Sequence, residues 1–149
     1  MSLYYYSRLE QILQDTQVMH AYLITGGAKE ERQKEILSRI AVLQVHAADC
    51  IYCQSDTDKI GISDVRIFTK QLLFVPNQSP FVAGIIFDAH RLTVEAQNAL
   101  LKLLEEPPPR ALIFCETYQR DTLLPTVVSR CQEVRLRAQS DNETPDGQQ

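Results

Sequence analysis

The residues with the most chemistry to offer lie where short apolar runs end. Gly26–Gly27 closes the run Ala21–Thr25 and leads into a helical pattern. A phosphate-cradling loop at such a place reads G-x-x-x-x-G-K-[ST]. Its backbone amides wrap the anion, its lysine reaches the phosphates and its hydroxyl completes magnesium coordination. Counted from Gly26, the second glycine position holds Glu31, the lysine position Arg32 and the hydroxyl position Gln33. Glu31 puts a carboxylate where the anion belongs, and Gln33 carries no small hydroxyl. Arg32 keeps a positive charge with a different shape and reach. Glu30 and Glu31 suit the positive end of a helix dipole and repel a triphosphate. The plain alternative for Gly26–Gly27 is a strand-to-helix turn.

A second point of interest is Ile85-Ile86-Phe87-Asp88-Ala89-His90. Magnesium-assisted phosphoryl transfer wants an acidic pair after such an apolar run, one carboxylate for the metal and one for water. Phe87 holds the first place and cannot coordinate magnesium. Asp88 in the second reads as a loop carboxylate or hydrogen-bond acceptor, and His90 as a hydrogen-bonding residue with no second ligand nearby in sequence. Cys50-x-x-Cys53, with His46 upstream, invites a zinc reading. A structural zinc wants four ligands, and no second pair follows. Cys115 and Cys131 belong to other elements, so neither zinc nor any other metal is expected.

The elements that must position these residues alternate. Apolar runs at 21–25, 49–53, 82–87, 111–115 and 133–136 read as strands. Helical patterns cover 5–15, with Leu9, Ile12 and Leu13 on one face, and 30–45, with Ile36, Leu37, Ile40, Val42 and Leu43 on one broad side. Ser63 can cap a helix reaching Leu73 with Val65, Phe68 and Leu72 inward. Thr93 can cap another through Glu106 with Ala96, Leu100, Leu103 and Leu104 on its core face, stopped by Pro107–Pro108–Pro109. A short helix spans 123–129, and 55–59 and 76–80 are loops. Strand and helix in alternation, with strands apolar throughout, predict an α/β fold with a five-stranded parallel sheet covered on both faces.

Composition fits this. The chain has 149 residues, 44% of them apolar and 23% charged, with 19 acidic against 15 basic residues and a formal charge of −4. That is one domain's worth of ordinary globular sequence, read here as an α/β domain over 1–138 and a disordered polar tail over 139–149. A strongly basic nucleic-acid binder is disfavoured, and no run approaches the roughly 20 apolar residues of a membrane helix. With no secretory signal, the four cysteines read as reduced thiols in a cytoplasm.

The block Asp88–Pro109 (Asp-Ala-His-Arg-Leu-Thr-Val-Glu-Ala-Gln-Asn-Ala-Leu-Leu-Lys-Leu-Leu-Glu-Glu-Pro-Pro-Pro) resembles the corresponding block of bacterial clamp-loader subunits. Leu123–Cys131 continues the likeness. His20–Gly26 resembles the strand that enters their phosphate loop, and Ile60–Arg66 their segment before the next helix. The matches fall in order over about residues 20–137. The family is the AAA+ clamp loader of DNA polymerase III, its gamma/tau and delta-prime subunits. The resemblance implies the five-stranded P-loop NTPase core and a ring-like assembly that opens a sliding clamp and places it on primed DNA. It implies gamma/tau and delta subunits as partners, with the sliding clamp a further candidate and DNA contact indirect or weak.

Within that family the ATP-binding subunits keep the glycine-lysine and acidic motifs. This chain has neither, which is the delta-prime pattern and implies that ATP and magnesium binding are lost. Gly26, Gly27, Arg32, Asp88 and Thr117 then mark a degenerate nucleotide site. Thr117 matches the family's phosphate-sensing residue at the end of the fourth strand. With no nucleotide in cis it is expected to make a strand-end hydrogen bond. Ser129-Arg130-Cys131 matches the motif whose arginine is offered as a finger to a neighbouring subunit's nucleotide, the one catalytic role expected here. The alternative for Arg130 is a surface salt bridge or a helix C-terminal contact. The family's four-cysteine zinc module between the second helix and second strand is expected to be deleted, and its helical lid and collar absent. Two other functional readings stand beside this one: a divergent active ATPase in which Arg32 replaces the lysine, and an interaction domain outside replication.

Overall fold

The computed structural model describes residues 20–74, 76 and 78–137, so the helix expected at 5–15 and the tail at 139–149 lie outside the described residues. Strands β1 (Ala21–Gly26), β2 (Cys50–Tyr52), β3 (Val82–Ile86), β4 (Ala111–Thr117) and β5 (Gln132–Leu136) form one sheet in the order β2-β3-β4-β1-β5. Every pairing is parallel, with Thr25 beside Thr117, Gly26 beside Leu136 and Ile86 beside Cys115. The last residues of β3, β4 and β1 therefore line up along one end of the sheet. In an open parallel sheet that carboxyl end is where ligands bind.

Alternation along the buried strands divides the core in two. Ala21, Leu23, Val82, Ile86, Ile113 and Cys115 point to one face. They meet Val65, Phe68 and Leu72 of α2 (Ile62–Leu72), Ala96, Leu100 and Leu103 of α3 (Val94–Glu105) and Val127 of α4 (Pro125–Ser129). Ile24, Ala83, Ile85, Leu112 and Phe114 point to the other face, against Ile36 and Ile40 of α1 (Lys29–Val42). Gly84 lets α2 approach closely, since a Cβ there would come within 2.7 Å of Phe68 Cζ.

The helices differ in detail from the pattern reading. Only Ile36 and Ile40 of the expected α1 stripe are buried in the core; Leu37 is 49% exposed and Val42 80% exposed. Among the described residues α1 covers this face, and it does so mainly through Ile36 and Ile40, a narrower stripe than the five residues suggest. Helix α1 also stops at Val42, because Gln44 turns into the left-handed region at φ 58°. The cap of α2 is Gly61 rather than Ser63, whose hydroxyl lies inside the helix. The Asp64 carboxylate, one residue further on, accepts the Gly61 N–H at 2.9 Å and takes over the capping role. Thr93 caps α3 as its type suggests, accepting the Ala96 N–H at 3.1 Å.

Candidate functional site

The turn that follows β1 demands glycine. Gly26 and Gly27 have φ of 75° and 61°, where side chains other than glycine are strained. A Cβ on Gly26 would also collide with the Leu136 carbonyl oxygen. This turn delivers the chain into the N-terminus of α1, whose first amides are unsatisfied by the helix itself. One of them is taken by the chain's own carboxylate: Ala28 N–H donates to Glu31 Oε2 at 3.4 Å. That same oxygen would lie 2.6 Å from a Cβ on Gly27, so the carboxylate rests directly on the turn.

Arg32 does not occupy the mouth of the loop. It is 3% exposed and lies beneath the turn. Its Nη1 donates to the carbonyls of Gly26 at 3.1 Å and Gly27 at 2.7 Å. Its Nε faces Glu116 Oε1 at 3.6 Å, too far for a hydrogen bond but close enough for a strong charge interaction. Glu116 is fully buried near the end of β4, and its other oxygen accepts the Asp88 N–H at 3.0 Å. In this placement Arg32 turns its donors away from the mouth of the loop, where a phosphate-binding lysine would point. A guanidinium whose donors are turned inward onto carbonyls and a buried carboxylate is not offered to a ligand.

Asp88 sits just past β3 in the left-handed region, φ 52°, and its carboxylate is engaged by Lys29 at 2.8 Å. That hydrogen bond holds the Lys29 ammonium above its usual pKa. Phe87 turns its ring onto Tyr52, centroids 5.7 Å apart. Thr117, fully buried at the end of β4, accepts the Gln119 N–H at 3.0 Å and faces His90 Nδ1 at 3.2 Å. On the other flank Thr25 Oγ1 donates to Glu133 at 2.9 Å and Arg120 bridges the same carboxylate at 2.8 Å. Burial pushes the Glu133 carboxyl up, but the hydrogen bonds from Arg120 and Thr25 outweigh it and the net shift is downward. The topology thus gathers Gly26, Gly27, Arg32, Asp88 and Thr117 at one end of the sheet, each engaged with groups of this chain.

Arg130 lies at the opposite end. It follows α4 and precedes β5, whose first residue Gln132 is beside Tyr22 near the start of β1. Its Nη2 meets Glu105 Oε1, at the end of α3, at 3.0 Å. The two side chains are 47% and 43% exposed and form part of the wall of an open hollow of about 290 Å³, with His20, Pro107 and Ile113.

Three residues that shape these sites are assigned no role by the sequence alone. Lys29 and Glu116 supply the partners of Asp88 and Arg32. Gln97, buried on α3, accepts the Leu124 N–H at 2.6 Å and donates to the carbonyls of Thr122 at 3.1 Å and Leu92 at 3.4 Å. It thereby fixes the segment that enters α4 and leads to Arg130. A glutamine on the apolar stripe between Ala96 and Leu100 was the available signal.

Cys50 packs with the α1 side of the sheet and Cys53 with the α2 side, so the C-x-x-C pair is split by the sheet. Among the described residues no three His, Cys, Asp or Glu side chains converge as a metal site. Burial pushes the Cys53 thiol up to about 12 and the Cys131 thiol to about 11. No helix among the described residues is long and apolar enough to cross a membrane.

A family model described as DNA polymerase III, delta subunit, matches residues 37–140. The DNA polymerase III subunit tau of Bacillus subtilis is 30% identical over 145 residues, covering 83% of this chain and 26% of that protein. The delta' subunit of Buchnera aphidicola is 36% identical over 87 residues, covering 54% of this chain and 23% of that one. Among solved structures, a DNA polymerase III gamma subunit-related protein of Thermotoga maritima superposes with a TM-score of 0.73 at 30% identity. That match covers 88% of this chain and 45% of the other. The chain thus spans about a quarter of the length of these two curated relatives and under half of the solved one.

Proposed function

The chain belongs to the DNA polymerase III delta subunit family, and on that premise we propose that it is a clamp-loader AAA+ module of the delta-prime kind. In this reading it serves DNA replication in the cytoplasm, binds neither ATP nor magnesium itself, and lends Arg130 to the nucleotide site of a neighbouring subunit. Its partners are subunits related to gamma/tau and delta, with the sliding clamp one step further and DNA contact indirect.

The observation that carries this reading is the separation of the two sites. Arg130 stands near Ala21 at the amino end of β1, and the glycine turn begins at Gly26 at the other end. Five steps of strand at about 3.3 Å each put the sites about 17 Å apart across a packed sheet. An arginine there cannot serve its own glycine turn, yet it is half exposed and open to another molecule. Brought against a neighbour's γ-phosphate, a guanidinium offsets the charge that spreads over the equatorial oxygens in the transition state. Such fingers are worth about 10³–10⁵ in rate. At this chain's own turn, Glu31 covers a helix amide and Arg32 is spent on carbonyls and Glu116. Both features oppose the reading in which Arg32 replaces a catalytic lysine.

The test is ATP turnover by the assembly recovered from the native cells with this chain tagged. Arg130→Ala lowers turnover by at least about a hundredfold if the finger acts in trans. Unchanged turnover in that variant refutes the assignment.

A further inference from the structure

We infer that Glu105 is a positioning residue for Arg130, holding the guanidinium in the direction from which a neighbouring subunit's phosphate receives it. The inference rests on the reading of Arg130 given above. Arginine has a long side chain with many rotamers, and an unheld finger spends most of its time pointing elsewhere. The backbone of Arg130 is fixed, since its N–H donates to the Val127 carbonyl at 3.1 Å and Val127 is buried in the core. Among the described residues its side chain is paired through Nη2, which lies 3.0 Å from Glu105 Oε1.

Glu105 is well placed to act as an anchor. It is the last residue of α3, a helix capped by Thr93 at its start and buried in the core through Leu100 and Leu103. Pro107 follows after Glu106 and stiffens the exit. With Glu105 drawn to Nη2, the Nε and Nη1 side of the half-exposed guanidinium remains for another acceptor. Those N–H groups can donate to phosphate while Glu105 keeps its hold, as a third group orients a catalytic base in a triad. The open hollow beside the pair gives an incoming group room to reach them. Because the pair is half exposed, the attraction is modest. It is enough to bias a side chain and too weak to withhold one.

The experiment compares Glu105→Ala, Glu105→Gln and Arg130→Ala in the same tagged assembly, with kcat and KM for ATP and the thermal midpoint of each variant chain. Glu105→Ala is expected to lower kcat about two- to fivefold with KM and midpoint unchanged, and Glu105→Gln, which keeps an acceptor without the charge, to fall between it and the unaltered chain. A merely structural salt bridge would move the midpoint and leave kcat alone. Unchanged or raised kcat in Glu105→Ala, with Arg130→Ala inactive, overturns this inference and leaves the finger standing. Unchanged turnover in Arg130→Ala overturns the finger itself and this inference with it.

Discussion

Replacing Arg32 with leucine tests whether that guanidinium is a strut or a free cation. Leucine fills the space beside Ile36 but removes both hydrogen bonds to the Gly26 and Gly27 carbonyls, at 3.1 and 2.7 Å. It also strips the buried Glu116 carboxylate of its counter-charge at 3.6 Å, leaving the Asp88 N–H as its hydrogen bond. Hydrogen bonds from a charged donor contribute about 1.5–3 kcal/mol each. Breaking one side of a buried ion pair costs about 3–5 kcal/mol, and the two estimates overlap. With a urea m-value of about 2 kcal/mol per molar, the unfolding midpoint drops by about 1.5–2.5 M. The double variant Arg32→Leu/Glu116→Leu recovers most of the loss, since the stranded charge is gone. A midpoint for Arg32→Leu within about 0.25 M of the unaltered chain, a change of about 0.5 kcal/mol, would instead put the guanidinium in solvent at the loop mouth.

Two further outcomes follow from buried groups. Gln97→Ala leaves the Leu124 N–H and the Thr122 carbonyl without their side-chain partner and opens a small cavity. It is expected to lower stability by about 2–3 kcal/mol in urea unfolding and to speed hydrogen exchange at the Leu124 amide. The thiols of Cys53 and Cys131 are raised to about 12 and about 11 by burial, against about 8.5 in the unfolded chain. The unfolded state therefore loses these protons first, so the stabilisation present below about pH 8.5 falls as pH rises toward the folded values. Between pH 8.5 and 10 each thiol should cost about 2 kcal/mol. Urea midpoints at pH 8 and pH 10 check this, and Cys131→Ala should flatten the decline.

The sheet was legible because its buried strands are apolar without interruption, as in Val82–Ile86 and Ala111–Cys115. Thr93 and the proline run marked the ends of α3 because their chemistry is local. Phe87 and Glu31 stand out in the sequence because the motif positions they are counted into each have one job. The roles of Lys29 and Glu116 are not legible, because their partners are far along the chain and only the fold brings them together; Gln97 shows itself as a polar residue on an apolar stripe, but its partner Leu124 does not. The sequence displays the charge of Arg32, whereas its burial beneath the turn is a property of how α1 meets β4. Leu37 and Val42 share a side of the helix with Ile36 and Ile40, but the sheet covers only the narrower stripe.

The most direct test is a calorimetric titration of the isolated chain with ATP and magnesium. On the proposed function no saturable heat is expected up to about 1 mM nucleotide, with a carboxylate resting on the turn and the guanidinium facing inward. Saturable binding below that concentration would contradict it.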